Sequence, residues 1–274
     1  MKFTCNKNIL LNSIGIVSKA VSNTAALDIL KGIKIDAEEN IRLTGSDLDL
    51  SVESVFDADI REKGSIIIDA RILGEIVRKL PDGDVEFVTA DNNEIKISCA
   101  NTKFNILYLS SEGYPEIKKV EKGDSIKIYS RDLKEIIKNT IFAISTSESR
   151  PVLTGSKFEI KKSNMKVISI DGSRLALRNQ IIPETGFEDM SFVVPGRVLN
   201  EMMKILKDDE TIVEINIKNN SVMFSFDSFT VIARLLEGEF FDYKKAIPTN
   251  CTIKATIDIK KFTDMIERAA IIIN

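Results

Sequence analysis

Apolar residues recur at helical spacing in five separate stretches of this chain. The stripes run Leu10, Ile14, Val17, Val21, then Leu73, Ile76, Val77, Leu80, then Leu133, Ile136, Ile137, Ile141, Ile144. Two more follow, Leu199, Met202, Met203, Leu206 and Phe262, Met265, Ile266, Ala269. They predict helices over 7–20, 70–79, 131–142, 196–207 and 259–268, each burying one face and presenting a polar one. Between them lie alternating segments of strand character at 33–37, 66–69, 85–89, 94–98, 157–160, 213–217 and 222–226. Turn signals separate these, "PDGD" at 81–84, "DNN" at 91–93 and "KNN" at 218–220. Turns that short join antiparallel hairpins rather than parallel crossovers.

The pattern repeats. A short strand followed by a helix opens at Phe3, again at Ile126, and a third time at Ile253. Asp47 in "LTGSDLDL" answers to Asp171 in "ISIDGSRL", 124 positions on; Leu73 answers to Leu199 after 126 and Gly113 to Gly238 after 125. Self-similarity at a fixed period sets the architecture before any single residue does. The expectation is an α+β fold of repeated domains, each with two helices on one face of antiparallel sheets. The domains fall at 1–122, 125–249 and 252–274, the last incomplete. Repeated modules build an extended surface or an enclosure more readily than one catalytic pocket.

Charge is sorted along this pattern. The whole chain carries −3, yet the five predicted helices together carry +8, so strands and loops carry −11. Lys and Arg are good helix formers, which alone would gather them there. Glu is nearly as good and is not gathered, which favours a basic helical surface facing an anionic partner. No run of ~18 apolar residues is present, so no membrane partner or span is expected. The start "MKFTCNKNIL" lacks the basic and apolar regions of a signal peptide. Cys5, Cys99 and Cys251 are few and far apart, as suits a reducing cytoplasm.

Catalytic chemistry is poorly supplied. The chain has no histidine, which removes the commonest general acid/base and the commonest metal ligand. Neither a G-x-x-x-x-G-K-[ST] loop nor a G-x-G-x-x-G fingerprint occurs. Asp208-Asp209 reads as a solvated turn. Asp47 and Asp171 read as turn aspartates that accept from neighbouring backbone N–H groups. A non-enzyme without metal or cofactor is expected.

Five stretches, "MKFTCNKNILLNSIGIVSKAV", "LDILKGIKI", "RLTGSDLDLSV", "ISIDGSRLAL" and "LLEGEFFDYKKAIP", resemble the bacterial sliding clamp family, the β subunit of DNA polymerase III holoenzyme. The likeness runs in register along the whole chain. It implies the DNA-clamp fold: three domains per chain, two chains closing head to tail around duplex DNA, helices inside and sheets outside. The implied function is a processivity factor that tethers the replicative polymerase and other proteins. The alternative is a peptide-binding scaffold of the same architecture that never encircles DNA.

The resemblance also implies sites. DNA contacts fall on Thr24, Arg71, Ser147, Arg150, Pro151, Val152 and Arg197, with Thr24 standing where many members have Arg. A pocket for short hydrophobic peptides of the polymerase α subunit, the clamp loader and repair polymerases maps to Leu153, Ile170, Gly172, Arg174 and Leu175. Phe241, Lys245 and Ala246 complete it, Phe241 replacing a usual Pro. Without the resemblance, Leu153, Ile170 and Leu175 read as core. The subunit interface of a homodimer maps to Phe104 and Ile106 on one side and Ile271 and Ile272 on the other. A third copy needs about 125 residues on the repeat spacing, and the chain stops at "AAIIIN". The expectation is a chain truncated in its third domain that makes no stable closed ring by itself.

Overall fold

The computed structural model describes residues 1–22, 27–117, 125–147, 149–183, 185, 189–248 and 252–273. The chain divides into two units, Met1–Phe240 and Phe241–Asn274. The first half of the larger unit runs β1 (Lys2–Asn6), α1 (Lys7–Val17), β2 (Gly32–Ala37), β3 (Ile41–Ser46), β4 (Leu50–Phe56), β5 (Asp59–Glu62) and β6 (Gly64–Asp69). It continues with α2 (Ala70–Lys79), β7 (Asp84–Thr89), β8 (Glu94–Cys99), β9 (Thr102–Leu107) and β10 (Leu109–Ser110). The second half repeats the order: β11 (Ile126–Tyr129), α3 (Ser130–Lys138), β12 (Gly155–Lys161), β13 (Asn164–Ile170), β14 (Leu175–Ile181) and β15 (Met190–Pro195). It ends with α4 (Gly196–Ile205), β16 (Ile212–Lys218), β17 (Ser221–Phe226) and β18 (Phe229–Arg234).

All strand pairs are antiparallel, in sheets ordered β5-β1-β7-β8-β9, β10-β6-β2-β3-β4-β18-β17-β16-β11 and β14-β13-β12-β15. The nine-stranded sheet is shared. β4 of the first repeat ladders with β18 of the second, Leu50 opposite Ala233 and Ser54 opposite Phe229. Helices α1 and α2 pack together over the first repeat's strands, and α3 and α4 do the same in the second. Their stripes feed one continuous core that includes Leu10, Leu73, Leu133 and Leu199, all fully buried. Phe3 and Phe87 stack in it at 4.6 Å between ring centroids, and Phe158 and Phe192 at 5.3 Å.

Two helices stop earlier than their stripes. Helix α1 tightens into a 3₁₀ turn at Ser18–Ala20, and α3 breaks at Asn139 before the 3₁₀ turn Ile141–Ala143. In the second case the buried Thr140 Oγ1 donates back to the Ile136 carbonyl at 2.8 Å, satisfying the helix end from its own side chain. The start of the second repeat's second helix also closes on its neighbours. A Cβ on Gly196 would lie 2.8 Å from the Thr154 carbonyl, so the first residue of α4 has no room for a side chain.

In the smaller unit, α5 spans Ile259–Ala270, capped by Asp258, whose Oδ1 accepts from the Lys261 N–H at 2.9 Å. The strand expected at Ile253 does not form: residues 252–258 have no ladder partner among the described residues. A lone strand leaves its backbone groups unpaired, so nothing holds it extended. The apolar stripe of α5 is exposed, Phe262 at 40% and Met265 at 50%.

Candidate nucleic-acid and peptide interfaces

Lysines that the sequence pattern places on the outer helix faces turn out to be used inside. Lys7, the first residue of α1, is buried and donates to the Leu80 carbonyl at 2.6 Å, with Asp82 at 3.1 Å. Lys134 of α3 donates to the Leu206 carbonyl at 2.8 Å. Leu80 and Leu206 are the equivalent C-cap residues of α2 and α4, so both repeats tie the first helix to the end of the second through a lysine. Cations at a helix C-terminus favour the dipole as well as the hydrogen bond. These two charges are committed to the fold.

The expected DNA contacts fall into different surroundings. Thr24 lies outside the described residues. Arg71 is the second residue of α2 and is exposed, its nearest carboxylate being Glu75 on the same helix at 3.8 Å. Ser147, Arg150 and Pro151 sit on one exposed loop, where Ser147 Oγ meets Ser149 Oγ at 2.9 Å. The loop is closed by the Ser145 N–H donating to the Leu153 carbonyl at 2.8 Å and the Leu153 N–H donating to the Arg150 carbonyl at 2.9 Å. Among the described residues no carboxylate lies within ion-pair reach of Arg150, which is exposed. Val152 is 8% exposed and packs with Leu153, Ile170 and Val193, so its side chain faces the interior. Arg197 lies against Asp47 of the first repeat, whose side chain is only 6% exposed. That contact is a close ion pair rather than an aligned hydrogen bond, because Asp47 Oδ2 accepts none.

Five of the expected pocket residues come together. Leu153 and Ile170 are buried with Val152 and Val193 in a small cluster separate from the main core, edged by half-buried Leu175, Leu236 and Phe240. Beside it, Asp171 Oδ1 accepts the N–H groups of Ser173 and Arg174 at 2.9 and 3.0 Å. Its Oδ2 accepts from Arg174 Nε at 2.7 Å. The Ser173 N–H first, then the Arg174 side chain and the Arg174 N–H, hold the Asp171 carboxyl below the usual carboxylate range. Gly172 takes φ +94°, and a Cβ there would meet only open space, so the corner is exposed. Val193, Leu236, Phe240 and the Lys157 ammonium 5.8 Å from the Phe240 ring belong to this surface and were not foreseen. The "LLEGEFF" stretch carried Leu236 and Phe240, but only pairing in the sheet brings Val193 alongside. The remaining pocket residues lie in the smaller unit: Phe241 is 41% exposed, and Lys245 pairs with Asp242 at 3.4 Å next to Ala246 in a 3₁₀ turn.

The expected interface residues lie at edges. Phe104 and Ile106 are half-buried on β9, the last strand of its sheet. Ile271 and Ile272 follow α5 and are 76% and 86% exposed. No helix among the described residues is long and apolar enough to cross a membrane.

Paired helices over antiparallel sheets, repeated along the chain and joined edge to edge, define the DNA-clamp fold. Comparison with known proteins agrees. Residues 1–118 match the N-terminal domain of the DNA polymerase III beta subunit and residues 127–242 its central domain. The beta sliding clamps of Halalkalibacterium halodurans and Bacillus subtilis are 34% and 35% identical over 99% of this chain and 74% of their own length. A crystal structure of a putative DNA polymerase III beta subunit from Eubacterium rectale superposes with a TM-score of 0.96 at 38% identity, over 99% of this chain and 74% of that one. The sliding clamp of Bacillus subtilis gives 0.95 at 35% identity, over 98% and 73%. The chain belongs to the DNA polymerase III beta subunit family, the beta sliding clamps.

Proposed function

We propose that this protein is a processivity factor of DNA replication that encircles duplex DNA and tethers a polymerase to it. The observation that carries the reading is the β4–β18 ladder, by which one module continues edge to edge into the next within a member of the sliding clamp family. A chain of modules joined that way extends a surface around a rod-like ligand. Clamp domains at 1–122 and 125–249, with the start of an incomplete one at 252–274, are the units of that surface. The protein contributes position and topology rather than bond-making chemistry, and works in the cytoplasm without a cofactor.

Phosphate contacts come from the Ser147–Pro151 loop, with Arg150 the strongest because its guanidinium has no carboxylate partner among the described residues. Such contacts are independent of base sequence and weaken with salt, so the protein slides. Leu153, Ile170, Leu175 and the Gly172 corner, with Arg174 at the rim, receive a short apolar peptide of a polymerase or clamp loader. Phe104 and Ile106 face a second copy in a homodimer, which also uses Ile271 and Ile272.

Loading onto nicked circular plasmid tests the reading. A form of the protein carrying a complete third domain is expected to stay on the circle at salt that strips ordinary phosphate contacts and to leave within one wash after a single restriction cut. Equal retention on circular and linear DNA overturns encirclement. Peptide binding with no retention on either form supports the non-encircling scaffold instead.

A further inference from the structure

Where the first module joins the second, the corner after β3 faces the β16–β17 turn and the end of β18 across a cleft of about 370 Å³. That volume falls in the range of about 300–1,000 Å³ usual for ligand sites. A strap between β10 and β11, residues 114–117, forms one side of it and is pinned at both ends. Tyr114 Oη donates to the Thr44 carbonyl of the first module at 3.3 Å, and Ile117 packs on Met223 and Ile232 of the second. A wall fixed in this way is in place before a ligand arrives, so binding need not order it.

Leu48 stands in the cleft at a cost that the folded chain does not recover. It takes φ 82°, a left-handed conformation that strains a branched side chain, and the residue is 63% exposed. The other non-glycine residues at positive φ among the described residues are Asn, Asp, Ala or Lys, so only Leu48 holds a large apolar side chain there. Strain of this kind gathers at ligand clamps. Around Leu48 the rim is acidic, with Asp49, Glu116 and Glu237 against one cation, Arg234. All four are exposed, and among the described residues no Lys or Arg lies within ion-pair reach of the three carboxylates.

The repeat shows how this chemistry departs from that of the second corner. The residue 124 positions on from Leu48 is Gly172, and the residue 125 on from Glu116 is Phe241. Ser51 holds the strand position that Leu175 holds in the second module. The first corner therefore offers one apolar anchor inside a negative rim, where the second offers a continuous apolar surface. We infer that the cleft is a second peptide-docking site, taking a short segment whose aliphatic residue packs on Leu48, Ile117 and Ile232 and whose flanking Lys or Arg meets Glu116 and its acidic neighbours. For its class of ligand, the site rests on the proposed reading that the second corner docks a peptide.

The test is fluorescence anisotropy with two labelled hexapeptides, Gly-Lys-Leu-Leu-Lys-Gly and Gly-Ser-Leu-Leu-Ser-Gly, on the wild type and on Leu175→Ser, which disables the second corner. The serine peptide is expected to bind the wild type and to lose its affinity in Leu175→Ser, where the lysine peptide still binds. In that background Leu48→Gly is expected to weaken the lysine peptide about tenfold. Glu116→Gln is expected to weaken it about threefold, an effect that fades as salt is raised. Leu48→Gly relieves strain, so urea unfolding is expected to show no lost stability, and a fold defect cannot then account for lost binding. If Leu48→Gly or Glu116→Gln leaves the lysine peptide's affinity unchanged, or if that peptide binds Leu175→Ser no better than the serine peptide does, the inference fails. If the serine peptide does not bind the wild type while the lysine peptide binds and responds to Leu48→Gly, the reading of the second corner fails and the inference stands.

Discussion

Asp47 and Asp171 turn the same corner after β3 and β13, yet the two corners do different work. Each carboxylate accepts backbone N–H groups two and three residues on, at 3.2 and 2.9 Å for Asp47 and 2.9 and 3.0 Å for Asp171. Each is followed by a left-handed residue, Leu48 at φ 82° in one and Gly172 at φ 94° in the other. The side chains then diverge. Around Asp47 the buried Ser46 and Ser51 hydroxyls meet at 2.8 Å, and the second oxygen is covered by Arg197 from the next module. Around Asp171 the same strand positions are Ile170 and Leu175, and the second oxygen is held by its own Arg174. A cleft of about 370 Å³ with mixed polar and apolar walls lies at the first corner, lined by Ser46, Leu48, Ile117 and Glu237 among others. One corner is a joint. The other keeps apolar surface beside an exposed glycine turn, which suits docking.

Removing the joint has the largest expected effect. Asp47→Ala loses two backbone hydrogen bonds worth about 1 kcal/mol each. The ion pair adds less than about 1 kcal/mol, because Arg197 remains over half exposed. Chemical denaturation is expected to show that loss, and a smaller one for Asp171→Ala. Next comes the docking corner. Leu175→Ser is expected to weaken binding of an apolar polymerase-derived peptide at least tenfold, about 1.4 kcal/mol, while Ser51→Leu leaves that affinity unchanged by fluorescence anisotropy.

Alkali separates the corners again. Tyr114 donates to the Thr44 carbonyl beside the first corner, and burial pushes its hydroxyl up to about 12. The position 125 residues on is Glu239, so the second corner has no such group. A folded pKa above the unfolded value of about 10 makes the folded state hold its proton longer. Stability from this group is therefore full below pH 10 and lost as pH rises toward 12. Urea midpoints for Tyr114→Phe are expected to fall less steeply across that window than those of the wild type. Burial raises the Cys5 thiol to about 12 as well, so the variant flattens the decline without abolishing it. The smallest effects concern backbone strain. Gly172→Ala is expected to cost about 1 kcal/mol, and Leu48→Gly to gain about half that, since relief at positive φ is offset by a looser unfolded chain.

Much of this was legible in the sequence because it is local. Helical stripes depend on neighbours three and four residues away, and the turn role of Asp47 and Asp171 on N–H groups two and three residues away. The repeat offset carried both across the chain. What was hidden depends on partners far along it. Lys7 and Lys134 look like surface lysines until the folded chain brings the Leu80 and Leu206 carbonyls to them. Arg197 looks like a free cation until Asp47, 150 positions earlier, is beside it. The ladder of β4 with β18 has no signature at all, because edge strands and central strands share the same alternation. The strand expected at Ile253 failed for the same reason in reverse, as its pattern was present and no partner strand lies among the described residues.

Coupling between Asp47 and Arg197 is the most direct measure of whether the first corner is a joint between modules. A double-mutant cycle of Asp47→Ala and Arg197→Ala, read by urea unfolding, is predicted to return an interaction energy of about 0.5–1 kcal/mol, shrinking as salt is raised, with linear-duplex binding unchanged by Arg197→Ala. Additive effects on stability, together with a salt slope for DNA lowered by one full contact in Arg197→Ala, would contradict it and return Arg197 to the DNA-facing surface.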